Sequence, residues 1–443
     1  MKTFTLGGVH PEENKLSADK AIEVLPLPEK VYVPVSQSLG APSKVVVEKG
    51  ATVKTGQLIA KGESFISANV HSPVSGKVVK IDDVIDSSGY KRQAVFIDVV
   101  GDEWEESIDR SPEIISEITA ERDTIIKKIN ELGVVGLGGA TFPSHVKLMV
   151  PDGKKAEYLL INGVECEPYL TADHRLMLEK GEEMMIGISI LKKALGVSKA
   201  FIGIENNKPD AIEHLRKLCT RYQGIDVIPL KVKYPQGGEK QLIKAVVNRE
   251  VPSGKLPIEV GCVVNNVGTA LAVYEAIQKN KPLIERIVTV TGKSVTKPSN
   301  FMVRIGTPVS LLIESAGGLP ENTGKVISGG PMMGKALTSL EAPVVKGTSG
   351  ILIMPVEESK RTQVLNCIRC GRCITACPMG LEPVLLAQLS ENLMFERAEA
   401  ERIMDCIECG SCHYTCPAGR PLLDYLRLGK NKTGLLIRNR GKK

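Results

Sequence analysis

The sequence is poor in aromatic residues: Phe, Trp and Tyr make up 4% of 443 residues, with one tryptophan, Trp104. Surfaces that stack nucleobases need aromatic platforms, so this scarcity argues against a nucleic-acid partner. No stretch reaches the ~18 unbroken apolar residues of a membrane-spanning helix. The nearest run, 184–191, ends at Lys192 and Lys193. Residues 1–11 have no basic region followed by an apolar run, so no signal peptide is expected. The chain is expected in the cytosol, meeting a membrane only through partners. Acids are missing from residues 427–443, which carry seven Lys and Arg and no Asp or Glu. Such a tail suits an acidic protein or an anionic membrane surface, but the expectation for 431–443 is a frayed, soluble basic end. Cysteine is rare outside one region. Of eleven, only Cys166, Cys219 and Cys262 lie beyond 367–416, and each of these reads as a small buried side chain.

What remains is ordinary globular composition, 42% apolar and 24% charged, in a chain long enough for about three domains at ~150 residues each. Residues 30–100 alternate short apolar runs with Gly and Pro turns, as in a small all-β unit. Val31, Val33 and Val35 alternate, and His71-Ser72-Pro73-Val74-Ser75-Gly76 leads into Val78. The order resembles biotinyl and lipoyl carrier domains. In those, a lysine sits on the hairpin tip; here the tip, 62–70, has none. A scaffold barrel without a swinging arm is expected. Residues 120–285 alternate strand patterns (157–161, 200–204, 226–232) with helical ones (184–195, 211–222, 241–247, 269–278), which predicts α/β with a largely parallel sheet. Over 286–356, strands are expected at 286–291, 309–313 and 325–328. From 360 the chain reads as helical between cysteine runs, with Leu385, Leu389 and Leu393 recurring at i+4.

The cysteine runs carry the strongest signal. Cys367, Cys370, Cys373 and Cys377 are followed by Pro378; Cys406, Cys409, Cys412 and Cys416 are followed by Pro417. Both have the bacterial two-cluster ferredoxin spacing, in which the fourth cysteine ligates the other cluster. One 4Fe–4S cluster is therefore expected on Cys367, Cys370, Cys373 and Cys416. The second is expected on Cys406, Cys409, Cys412 and Cys377. A single CxxC would also suit zinc or redox thiols; eight cysteines in two matching runs leave little room for either.

A possible electron source lies upstream. Residues 133–147 read GVVGLGGATFPSHVK, where Gly136, Gly138 and Gly139 leave a backbone free to approach a phosphate or a flat ring. Two segments end as strands at polar residues: 159–169 (LLINGVECEPY) brings Asn162, Glu165 and Glu167, and 263–269 (VVNNVGT) brings Asn265, Asn266 and Thr269. Parallel sheets place ligands at these strand ends. Singly, each residue is as well explained by turns and helix caps. Residues 234–239 add YPQGGE.

Taken in order, these strings resemble the FMN- and NADH-binding subunit of respiratory complex I and of NAD-reducing hydrogenases. With the β unit in front and the ferredoxin tail behind, nearly the whole chain resembles the C subunits of Rnf complexes. That resemblance implies a multidomain α/β protein. Its parts are a lipoyl-like β barrel-sandwich (1–110, core 30–100), an FMN/NADH-binding α/β domain (120–285), a β-grasp-like SLBB domain (286–356), a helical two-cluster ferredoxin-like domain (360–430) and a basic tail (431–443). It also implies roles. Gly136, Gly138, Gly139 and Ala140 line the isoalloxazine and nicotinamide side, Phe142 stacks near the adenine end, and Lys147 faces the flavin or its phosphate. Asn162 and Glu165 hold the ring edge, and Glu167 the nicotinamide or its ribose. Tyr234, Gly238 and Glu239 border the NADH pocket. Asn265, Asn266 and Thr269 bind ribityl and phosphate. Against the complex I pattern, Leu137 replaces Arg, and Thr141 and His145 replace Gly.

The implied function is electron transfer between NADH, FMN and two 4Fe–4S clusters, peripheral on the cytoplasmic face of the inner membrane. Its partners would be membrane flavoprotein and ferredoxin-like subunits of an ion-translocating complex. No catalytic nucleophile or base is expected, since the cofactors carry the chemistry. Two other readings compete: a cobalamin reductase of the propanediol-utilisation type, which resembles the same family, and an iron–sulfur relay without nucleotide binding.

Overall fold

The computed structural model describes residues 1–441; Lys442 and Lys443 of the basic tail lie outside the described residues. In the first unit, Val31 and Val33 point inward from the strand Lys30–Pro34, which pairs antiparallel with Lys91–Gly101. A four-stranded sheet built on that pair shares its core with a three-stranded sheet of Lys44–Val45, Leu58–Lys61 and Val70–His71. The hairpin tip where a carrier domain holds its lysine is exposed at 63–66 and anchored at its base. The Ala41 N–H donates to the Ile66 carbonyl (3.0 Å), and Asn69 Nδ2 donates to the Glu131 carbonyl of the α/β unit (2.9 Å).

The second unit has a four-stranded sheet in the order Ile225–Leu230, Lys199–Glu205, Tyr158–Asn162, Cys262–Asn266, parallel throughout. Leu159, Leu160 and Ile161 are all fully buried, as a strand covered on both faces requires. The helices Gly181–Leu195 and Val267–Gln278 cross so closely that a Cβ on Gly187 would overlap the Ala270 carbonyl. Register sets Asn162 beside Asn266, so the polar strand ends converge.

The third unit is a six-stranded mixed sheet whose edge strand, Ile22–Val24, comes from the N-terminus and runs parallel to Ser299–Arg304. The residues before it strap the molecule: Lys2 bridges to Leu230 and Val9 to Tyr234. The strand expected at 309–313 is a helix, Val309–Ser315. Val309, Leu312, Ile313 and Ala316 are buried together, the i, i+3, i+4, i+7 spacing of one helical face. That period overrides the strand preference of Val309 and Ile313.

In the last unit the helix Pro383–Glu391 buries Leu386 and Leu389 against Cys377, Cys412 and Leu426. The expected series through Leu393 breaks: Leu393 follows the helix, is exposed and has φ +57°. The basic end is not frayed at 431. The helix Leu422–Arg440 runs through it, with Thr433 buried and Arg440 paired to Glu399 (2.6 Å). Among the described residues no helix is long and apolar enough to cross a membrane.

Candidate functional site

The glycine loop joins two anchored ends. The Gly136 N–H donates to the Phe142 carbonyl (2.9 Å), and the Leu137 N–H donates to Thr269 Oγ1 (2.9 Å). Between them Gly138, Gly139 and Ala140 stand exposed, and Phe142 is half-buried. Gly139 has φ +114°, a conformation open to glycine and strained for other residues. A Cβ on Gly138 would crowd Asn266 at 3.3 Å. The loop therefore lies directly over the strand ends.

Those ends are organised by their own side chains. Asn266 caps the helix Val267–Gln278: its Oδ1 accepts from the Gly268 N–H (2.8 Å) and its Nδ2 donates to Asp173 Oδ2 (2.7 Å). Asn162 Nδ2 donates to the Gly237 carbonyl (2.8 Å), tying in the YPQGGE segment. Gly238 caps the helix Glu239–Val247. Lys147, on the short helix Ser144–Leu148, donates to the Val264 carbonyl (2.9 Å) and pairs with Glu239 (3.2 Å). Asn265 differs. It is 4% exposed and its Nδ2 has no partner. A buried donor left unpaired costs ~1–3 kcal/mol, so this amide is poised for an acceptor. Gln236 Nε2, also buried, is unpartnered too. An accessible glycine loop, a spare buried donor, the Lys147 amine and the N-terminus of a 12-residue helix together fit a flat ring ending in a phosphate.

The two carboxylates of the first strand end point elsewhere. Glu165, at φ +47°, accepts from the Asp173 and His174 N–H groups (2.8 and 3.1 Å) and so caps the helix Ala172–Glu179. Glu167 accepts from the Met332 and Met333 N–H groups (3.1 and 2.7 Å) of the third unit. Burial pushes its carboxyl up to about 7, against the pull of those donors. Tyr234 is 2% exposed, and its hydroxyl donates to the Cys409 carbonyl (2.8 Å). It therefore reaches the cysteine loop rather than solvent.

The two cysteine runs share one backbone design. Arg369 and Glu408, at matching positions, have φ +55° and +57°; Gly371 and Gly410 have +73° and +77°. Each loop thereby aims an N–H at its first sulfur: Arg369 to Cys367 Sγ and Glu408 to Cys406 Sγ, both 3.4 Å. Cys406, Cys409 and Cys412 line one pocket together with Cys377, walled by Leu381, Leu386, Leu423 and Leu426. This is the crossed ligand set read from the spacing. In the other set, Cys373 lies near enough to Cys416 to feel its charge, and Cys367 and Cys370 are exposed. Among the described residues no three His, Cys, Asp or Glu side chains converge as they do round a single ion. Cys412 lies near enough to Cys409, Cys406 and Cys377 to feel their charges. Burial pushes the Cys406 thiol up to about 11 and raises Cys409 and Cys412. A thiol raised in this way is a weak nucleophile, and one that binds a metal gives up its proton in doing so.

Several residues at the site were not singled out in the sequence. Asp173 lies beside Glu165, and burial, reinforced by that charge, pushes it up to about 7. Lys15 donates to the carbonyls of Glu165, Glu167 and Leu170 (2.8, 2.9 and 2.7 Å) and so shapes the turn that carries both glutamates. Burial, then the Lys208 charge, lowers it to about 8. No local pattern marks Lys15, because its partners are some 150 residues away in the chain. Asp173 could have been found as an acidic residue in the first turn after Glu165.

Comparison with known proteins matches each part in order. Family models fit residues 3–102 (RnfC barrel sandwich hybrid domain), 129–275 (Nuo51 FMN-binding domain), 287–336 (SLBB domain) and 359–417 (4Fe-4S dicluster domain). The C subunit of the proton-translocating ferredoxin:NAD(+) oxidoreductase complex of Clostridium ljungdahlii is 47% identical over 405 residues, covering 90% of this chain and 87% of that protein. Its counterpart in the Na(+)-translocating complex of Acetobacterium woodii is 44% identical, covering 96% of both. An NAD+-reducing [NiFe]-hydrogenase has a similar fold, with a TM-score of 0.52 at 17% identity over 71% of this chain and 63% of that one.

Proposed function

The chain belongs to the C subunits of Rnf-type, ion-translocating ferredoxin:NAD(+) oxidoreductase complexes, and from that premise we propose that it is their NAD(H)-side electron-transfer subunit, peripheral on the cytoplasmic face of the membrane. Its partners in this reading are the membrane flavoprotein and ferredoxin-like subunits. When bound, FMN supplies the exchange between a hydride of NADH and single electrons that 4Fe–4S clusters carry. The chain's own part is positional. The exposed glycine loop leaves access to a flat ring, while Asn265 and Lys147 would anchor the polar end. Tyr234 holds the Cys406–Cys412 loop against the nucleotide unit, and the Cys367–Cys373 loop is left at the surface. The Cys377/Cys406/Cys409/Cys412 pocket and the Cys367–Cys373 loop with Cys416 would hold the two clusters, and the exposed loop is the one a redox partner can reach.

The observation that carries this reading is the buried, unpartnered Asn265 Nδ2 at the strand end whose next residue, Asn266, lies against the glycine loop. Asn265→Leu is expected to weaken FMN binding by about ten- to a hundredfold, the worth of one buried hydrogen bond. The same change leaves the flavin-free chain as stable or more stable, because a buried donor without a partner is gone. Flavin fluorescence titration and thermal melts of the apo chain, read together, check both signs. Unchanged FMN affinity would place the flavin away from Asn265. Anaerobic titration of the reconstituted chain with NADH tests the whole path: flavin bleaching without cluster reduction would break it.

A further inference from the structure

The loop 329–334, Gly-Gly-Pro-Met-Met-Gly, leaves the third unit after the strand Thr323–Ser328 and enters a junction that the flavin chemistry does not itself require. On one side it is held by Glu167, which accepts both the Met332 and Met333 N–H groups (3.1 and 2.7 Å). Gly330 packs so tightly on that carboxylate that a Cβ there would overlap it. On the other side it abuts the second cysteine loop. The Met332 carbonyl lies 2.8 Å from where a Cβ on Gly410 would stand, between Cys409 and Cys412. The Met332 side chain is buried in a small apolar cluster with Val9, Tyr234, Ala376 and Cys409. Arg427 closes the far end: its Nη2 donates to the Met333 carbonyl (2.8 Å), and its Nε faces Glu408 at 3.5 Å, inside the same cysteine loop.

The cysteine loop is thus held from two directions. Tyr234 grips it at the Cys409 carbonyl from the nucleotide unit, and the 329–334 loop backs it at Gly410 from the β unit. Two backbone contacts flanking one ligand leave it little freedom to slide. Electron transfer depends steeply on separation, and a ligand loop free to shift by an ångström would lose rate for the same reason that misplaced groups lose catalysis.

We propose that the 329–334 loop, clamped between Glu167 and Arg427, is a positioning strut that fixes the Cys406–Cys412 loop relative to the flavin rim and thereby sets the rate of electron passage between them. This rests on the flavin reading above, and the experiment separates the two. Gly330→Ala forces the strut off Glu167, and Arg427→Gln releases its opposite end; neither residue lies at the flavin rim. In the reconstituted, anaerobic full chain, NADH-driven reduction of ferricyanide draws on the flavin directly, and it is expected to stay within about twofold of wild type. Stopped-flow reduction of the clusters by NADH is expected to slow by about tenfold or more, with iron content unchanged. Hydrogen exchange of residues 406–412 is expected to rise in both variants, while that of 136–142 stays as in wild type. Equal loss of both rates, or no change in either rate, would overturn the strut. A wild-type chain inert to NADH would instead overturn the flavin reading, and the strut would then be judged on exchange alone: unchanged protection at 406–412 refutes it.

Discussion

Cys377→Ala is expected to remove the 4Fe–4S cluster assigned here to Cys377, Cys406, Cys409 and Cys412, although Cys377 belongs by sequence to the earlier run. The four thiols line one pocket, so losing one corner of that cage leaves three buried sulfurs without a complete partner set. Iron and sulfide should fall to about half, since one of two cubanes is lost. The NADH-linked flavin should still bleach, yet the surviving cluster on Cys367, Cys370, Cys373 and Cys416 should no longer be reduced by NADH, because the pocket between it and the rim is empty. Cys416→Ala is the mirror experiment. It should also halve the iron, but the remaining cluster should still be reduced by NADH. EPR with NADH, and separately with dithionite, reads both outcomes. If Cys377→Ala left a cluster that NADH still reduces, the crossed assignment or the order along the chain would be wrong.

Lys346 gives the second large effect, on stability. It is 1% exposed, and its amine donates only to two neutral carbonyls, Asn69 (2.8 Å) and Gly133 (2.7 Å). Burial lowers it from 10.5 to about 7. Between pH 7 and 10.5 the unfolded chain holds a proton on this amine that the folded chain lacks. Its contribution to stability therefore rises with pH across that window, and the full penalty of a buried charge is present below pH 7. Lys346→Met fills the same space without the charge. Relative to wild type, the variant should lose about 3 kcal/mol between pH 6 and pH 9, two pH decades at ~1.4 kcal/mol each. Urea midpoints of the two chains at both pH values measure it. A difference that stays flat with pH would mean that the amine is charged in the fold. Because the Gly133 carbonyl opens the glycine loop, the same substitution should loosen the segment that approaches the flavin.

The parts of the site differed in how legible they were. The pocket that Cys377 shares with Cys406, Cys409 and Cys412 was readable because iron–sulfur chemistry needs fixed spacing within one short segment, and that spacing expects the fourth cysteine to cross over. The glycine loop and the paired asparagines were readable as neighbours, since parallel strands carry their ends to one edge of the sheet. Less readable was what each side chain does there. Asn266 and Thr269 are spent on the helix cap and on Leu137, Glu165 caps a helix, and Glu167 grips another unit, whereas Asn265 keeps a free donor. Identical residue types took different jobs because neighbours distant in sequence decided which hydrogen bonds were already made. The departures from the expected fold have the same origin. Residues 309–313 hold an apolar run with β-branched Val309 and Ile313, but the burial of the segment follows a helical period; the leucine series stopped at Glu391 because Leu393 turns left-handed.

By itself, then, the sequence determined the order of the units, the two cysteine runs of a 4Fe-4S dicluster domain and the polar strand ends, because each is written in local spacing and periodicity. Only the tertiary structure decided how the units meet. Lys15 reaches three carbonyls across the chain, Tyr234 lands on Cys409, Lys346 bridges the β barrel and the glycine loop, and the 329–334 loop stands between Glu167 and Arg427. These contacts join residues from different units, and no local pattern encodes them. They exist because buried polar groups must find partners wherever packing brings them.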